Sequence, residues 1–164
     1  AVSYSIPDTM WAKDSDCRYI YANIRLRNEL FYGMNLEEII GKTDMEITEN
    51  IWANHCDKYR HTFGLICGNS DVIVTEKKQT QRFLEWGLVK GENLYLEVNK
   101  APIYNRAKEF VGVCGTGRNV TDYYLGLKQA IDTMTKCHSS SDANCFSQLQ
   151  QQLDKYKFEI LSKL

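Results

Sequence analysis

The sequence predicts an α+β domain: a five-stranded antiparallel sheet with helices on one face, followed by a C-terminal helical extension. Three observations carry this. Leu94, Leu96 and Val98 alternate with Tyr95, Glu97 and Asn99, the period of two that gives a strand two distinct faces. A second strand, Phe110 to Arg118, follows a reversal at Asn105 to Lys108, and Asn119-Val120-Thr121-Asp122 then switches abruptly to helix. A further hairpin at the front of the chain is separated from these strands by segments with helical spacing.

Taken in order, Thr9 to Lys13 and Arg18 to Ala22 read as short strands around the turn Asp14-Ser15-Asp16. Asn23 suits a helix N-cap, and Ile24, Leu26, Leu30 and Phe31 recur at helical intervals up to Gly33, a C-terminal stop. Leu36 to Ile40 adds a short helix ended by Gly41. Residues Glu49 to Ile66 are expected to form one longer helical segment, with Ile51, Trp52, Tyr59, Phe63 and Ile66 as its apolar positions and Gly68-Asn69 as its break. Asp71 to Lys78 reads as a short helix or an extended piece, because Val72, Ile73 and Val74 favour strands. The sheet resumes at Thr80. Pro102 lacks a ladder donor, so clean pairing is expected to end there. Thr121 suits an N-cap, and Asp122 favours the positive helix start.

With 164 residues, 43% hydrophobic and 25% charged, the chain has the composition of a soluble domain with a real core. A formal net charge of −1 provides no global field for nucleic acid or an anionic membrane. No run approaches the ~18 apolar residues of a membrane span, and the N-terminus lacks a signal-peptide pattern. The expectation is a cytoplasmic protein, or a domain cut from a longer one. Six cysteines, at positions 17, 56, 67, 114, 137 and 145, show no zinc-ligand spacing, so free thiols and no metal are expected. Cys137 and Cys145 bracket a short loop and are the one pair worth considering for a bridge.

The blocks W-A-K-D at Trp11 to Asp14, R-Y-I-Y-A-N at Arg18 to Asn23, L-E-E-I-I-G-K-T-D-M-E-I at Leu36 to Ile47, and K-x-P-I-Y-N followed by E-F-V-G-V-x-G-T-G-R-N-V-T-D share one order and spacing. Together they resemble the PAS family of sensory domains, over roughly Asp8 to Tyr124. Asn119 stands where that family usually has Asp, and Ala107-Lys108 where a Gly is common. The resemblance implies a PAS-like domain over residues 1–122 and linker or dimerisation helices over 123–164. It also implies a sensory or dimerisation module of bacterial signal transduction or transcription regulation, controlling an effector C-terminal to this chain.

If that alignment holds, Trp86, Leu96, Val98, Lys100, Gly112 and Cys114 face the interior where PAS ligands sit, with Tyr21 and Phe63 able to stack on an aromatic ligand or to serve as core. Lys100 needs an anion, supplied by a protein carboxylate or by an acidic ligand. The expected ligand is a small organic metabolite near Trp86 and Cys114. Haem-binding relatives place an axial histidine where His55 and His61 lie, but the surrounding sequence does not match them; the flavin-binding relatives need a reactive-cysteine context that is missing. No cofactor is therefore expected. Gly112, Gly115 and Gly117 form no phosphate loop, lying inside a strand, and permit close approach of either a helix or a ligand. No catalytic set can be named, so a stand-alone enzyme using the cleft is the competing reading and no enzyme the expectation.

Past Asp122, Tyr124, Leu127, Ile131 and Met134 fall at coiled-coil steps, and Phe146, Leu149, Leu153, Tyr156 and Ile160 repeat them. Two arrangements fit: a hairpin closing within one chain, or pairing between chains, with a homodimer through these helices as the expectation. From Thr121 to Leu164 five lysines and no arginine face five acids, which excludes direct nucleic-acid binding by this segment.

Overall fold

A computed structural model of the chain describes residues 7–55 and 60–138, together with Ser147 and Gln151. It divides into two compact units, Ala1–Asn119 and Val120–Leu164.

The first unit holds five strands, β1 (Thr9–Asp14), β2 (Tyr19–Ala22), β3 (Gln81–Val89), β4 (Glu92–Tyr104) and β5 (Phe110–Asn119). They form one antiparallel sheet in the order β2-β1-β5-β4-β3. Between β2 and β3 run α1 (Ile24–Leu30), α2 (Leu36–Ile39), α3 (Asp44–His55) and α4 (Gly64–Lys77). The core lies between them and the sheet: Trp11, Leu96 and Val98 from the strands meet Leu26, Leu30, Ile39, Ile47, Ile51 and Phe63.

Asn23 caps α1 as expected: its Oδ1 accepts from the backbone N–H of Leu26 at 2.9 Å and of Met10 at 3.0 Å, tying the helix start to β1. Thr43 and Glu46 form a capping box that starts α3: Thr43 N–H donates to Glu46 Oε2 at 2.8 Å and Glu46 N–H to Thr43 Oγ1 at 3.3 Å. The expected single helix from Glu49 to Ile66 is instead two helices, and Gly68-Asn69 does not break the second. α4 runs unbroken from Gly64 to Lys77 and ends with Lys78 in the left-handed region, φ 52°. Its β-favouring Val72-Ile73-Val74 is helical because the neighbouring Ser70 and Asp71 are anchored in the core, tertiary contacts overriding propensity.

Pro102 sits within β4, opposite Val113 of β5. β3 pairs with β4 only as far as Gln81↔Lys100, so on that side β4 is an edge at Pro102 and no ladder donor is missed. The β4–β5 reversal takes Lys108 at φ 63°, where related turns use glycine.

The second unit contains α5 (Thr121–His138), with Leu127, Ile131 and Met134 40%, 52% and 50% exposed. The expected second helix and the Cys137–Cys145 pair fall outside the residues or side chains described. No helix among the described residues is long and apolar enough to cross a membrane.

Candidate functional site: a charged cluster beside a core cavity

Strand alternation places Thr9, Trp11 and Lys13 of β1 on the inner face, with Leu94, Leu96, Val98 and Lys100 of β4 and Glu85 of β3. Two lysines are thereby driven into the core; both are 1% exposed. The helices answer them. Asp44, in the first turn of α3, meets Lys13 Nζ at 2.5 Å. Asp71, midway along α4, bridges both lysines, its Oδ2 2.5 Å from Lys13 Nζ and its Oδ1 2.5 Å from Lys100 Nζ. Lys100 further donates to Ser70 Oγ at 2.6 Å and to the Cys67 carbonyl at 3.2 Å, and lies 3.0 Å from Glu85 Oε1. Ser70 donates to Glu85, and the Tyr19 hydroxyl to Asp44 Oδ1 at 2.7 Å.

Burial alone would lower the pKa of each lysine. The adjacent carboxylates outweigh it, Asp44 and Asp71 for Lys13 and Glu85 and Asp71 for Lys100, so both are raised and both ammonium groups are held charged. The Cys67 thiol is pushed well up by burial and then by Glu85, and the Tyr19 phenol by burial and then by Asp44, so both stay protonated. Of the alternatives for Lys100, protein carboxylates supply its anion.

Beside this cluster lies a cavity lined by Trp11, Lys13, Tyr19, Leu26, Leu30, Cys67, Glu85, Leu96 and Lys100. Its lining combines apolar side chains, Leu26, Leu30 and Leu96 among them, with the charged Lys13, Glu85 and Lys100. It is small, about 10 Å³, room for about one water.

Of the sequence-predicted site residues, Leu96 and Lys100 line the cavity. Phe63 and Val98 are buried in the surrounding core, Phe63 with its ring over Gly87. Trp86 does not face the interior: with Glu85 and Gly87 inward, it lies on the outer face, 55% exposed and stacked on Tyr95. Cys114 is also on the outer face, opposite Ala12 and Ala101, and Tyr21 is 38% exposed beside Ala12. Gly112 serves strand approach, since a Cβ there would come within 2.0 Å of the Lys13 carbonyl oxygen. His55 ends α3, and His61 is buried before α4, so the two do not share a helix. Among the described residues no group of His, Cys, Asp or Glu could hold a metal ion.

Sequence reasoning missed Trp11, Lys13, Glu85, Asp44 and Asp71. The signal was present in β1, where T-M-W-A-K puts Lys13 on the face of Thr9 and Trp11.

A five-stranded antiparallel sheet with helices inserted between its second and third strands is an α+β domain, and comparison supplies the family. The PAS fold family matches residues 4–124, and the chain belongs to it. No curated protein matches the sequence. Among solved structures, VqmA of Vibrio cholerae in complex with ligand and DNA is similar with a TM-score of 0.53 and 21% identity, covering 72% of this chain and 48% of that one. The VqmA dimer without target DNA, described among LuxR-type receptors, gives 0.54 and 22%, covering 73% and 50%. The PAS domain of Bordetella pertussis BvgS gives 0.51 and 15%, covering 77% and 86%. The chain thus spans about half the length of the VqmA structures. At these identities the likeness is one of fold.

Proposed function

We propose that this chain is a sensory module of a signal-transduction or transcription-regulatory protein. It takes up a small organic molecule in the core cavity and passes the change through β5 and α5 to an effector domain. The observation that carries this is the cavity whose lining includes Lys13, Glu85 and Lys100, members of the buried charged cluster. A well-packed apolar core is often as stable as buried ion pairs or more so, which makes the cluster poor value as a stabiliser and useful as a recognition wall. VqmA, of similar fold, is known in complex with a ligand and DNA, which is compatible with the same use of this cavity. Catalysis is not part of the reading: the Cys67 thiol, the nucleophile at hand, is held protonated. Native mass spectrometry of the chain purified from its producing cells should show a retained small molecule, and Leu30→Phe, which narrows the cavity, should remove it. A chain that never retains a molecule, or an adduct indifferent to Leu30→Phe, would count against the reading.

The output runs along α5 and is read by a second copy. β5 ends at Asn119 and α5 begins at Thr121, so little slack separates strand from helix. Exposure of Leu127, Ile131 and Met134, one helical face, supports pairing of α5 with its counterpart in a homodimer. Replacing Leu127 and Ile131 by Glu puts four charges into that seam and should cost several kcal/mol of association. Sedimentation should then report a monomer while circular dichroism shows an intact fold; a variant that stays dimeric excludes this route.

A further inference from the structure

Trp11 is 6% exposed, and its indole Nε1 is buried without a hydrogen-bond partner among the described residues. Burying an unmatched donor is costly, and native cores rarely leave one. The ring is fixed where it is: Gly115, directly opposite in β5, has no side chain, and a Cβ there would come within 2.4 Å of Trp11 Cζ2. Trp11 lines the same cavity as Lys13, Glu85 and Lys100. Lys100 has four acceptors within 3.2 Å for its three protons and so has nothing to offer a guest. Glu85 Oε2 meets only the Cys67 thiol, a weak donor at 3.5 Å. Lys13 donates to Asp44 and Asp71, and the Tyr19 ring centroid lies 4.7 Å from its Nζ. Among the described residues, Trp11 N–H is then the one donor of the lining with no partner, and Glu85 Oε2 its under-used acceptor.

Charge narrows the guest further. Two lysines face three carboxylates, Asp44, Asp71 and Glu85, so the cluster already carries an excess negative charge. An anion would add a second, and a cation bearing only donors would leave the indole unmatched. We propose that the cavity selects a small uncharged molecule that pairs a hydrogen-bond acceptor with a donor, of the amide or lactam class, its acceptor on Trp11 Nε1 and its donor on Glu85. A guest larger than water requires the lining to part, since the cavity as it stands has room for about one water. This rests on the sensory reading above.

The test uses four ring-sized or smaller probes on the full chain: 2-pyrrolidone (acceptor and donor), cyclopentanone (acceptor only), pyrrolidine (cation) and butyrate (anion). The chain has three tryptophans, so three indole N–H resonances report. Trp52 donates to the His61 carbonyl at 2.9 Å and Trp86 lies on the outer face, which makes both internal controls. Trp52→Phe and Trp86→Phe assign the spectrum. The Trp11 resonance should move with 2-pyrrolidone, less with cyclopentanone, and not with pyrrolidine or butyrate. Exchanging the Trp11 ring for benzothiophene, which keeps the shape and removes the donor, should weaken 2-pyrrolidone about fivefold. An equal response to pyrrolidine or butyrate, or an unchanged affinity after ring exchange, overturns the assignment and leaves the sensory reading standing. So does a silent Trp11 resonance in a chain that retains a cellular molecule. Silence together with no retained molecule sinks both.

Discussion

A single missing side chain, at Gly115, decides where the largest core ring goes. The sequence left its strand glycines serving either a helix or a ligand. The structure shows a third partner at Gly115 itself, the indole of Trp11 reaching across from the neighbouring strand. Gly115→Ala should cost about 1–3 kcal/mol, because the new methyl must displace a packed ring rather than a flexible chain end. Chemical denaturation measures the loss, and the Trp11 indole resonance should shift with it. The role was illegible in sequence because it depends on the β1–β5 register, which joins residues more than a hundred positions apart.

The charged cluster is a device between elements, joining α3 and α4 to the strands that carry Lys13 and Lys100. Asp71 is its shared member, so Asp71→Asn strips both lysines of one carboxylate at once. Removing one side of a buried ion pair typically costs about 3–5 kcal/mol, and this substitution should fall at or below the lower end of that range by urea denaturation, because Asp44 still pairs with Lys13 and Glu85 still lies beside Lys100. The loss should centre on α4, where amide exchange would quicken before it does in the β4–β5 hairpin. Sequence reasoning reached the hairpins, the α1 cap and the stop at Gly33, where local chemistry decides. It failed for α4, expecting a break at Gly68-Asn69 and a short helix or an extended piece after it, because the contacts holding that helix come from Lys13 and Lys100 rather than from its own neighbours.

For the whole molecule, the shifts in the cluster share one sign. Cys67, Tyr19, Lys13 and Lys100 all have raised pKa values in the fold, from ordinary values of 9.0, 10.0, 10.5 and 10.5. The folded chain therefore binds more protons than the unfolded one above about pH 9, and stability falls as pH rises through that window, each group contributing a slope of at most about 1.4 kcal/mol per pH unit. Below the window these contributions are fully present. Thermal melts between pH 7 and 11 in reductant should be flat and then decline, and Cys67→Ala should make the first part of the decline shallower, leaving there the smaller contribution of Cys17, also raised by burial. An alkaline limb unchanged by that substitution would show that the thiol plays no part. At this scale the sheet and its insertion of helices were legible from alternation alone. What alternation could not supply was parity in β3: placing Trp86 inside rather than outside is a one-residue slip, and it exchanges the faces of that entire strand.

The bridging carboxylate of Asp71 also constrains how this domain can change by descent. Replacing Lys13 or Lys100 singly leaves buried carboxylates short of a cation, whereas replacing all five charged members, Lys13, Asp44, Asp71, Glu85 and Lys100, by apolar residues together is tolerable or better. The intermediates form a valley that one-step mutation must cross, and the five positions sit on five separate elements, β1, α3, α4, β3 and β4. Drift can therefore remodel Leu26, Leu30 and Leu96 one at a time, altering which guest fits, while the charged wall is inherited as a block.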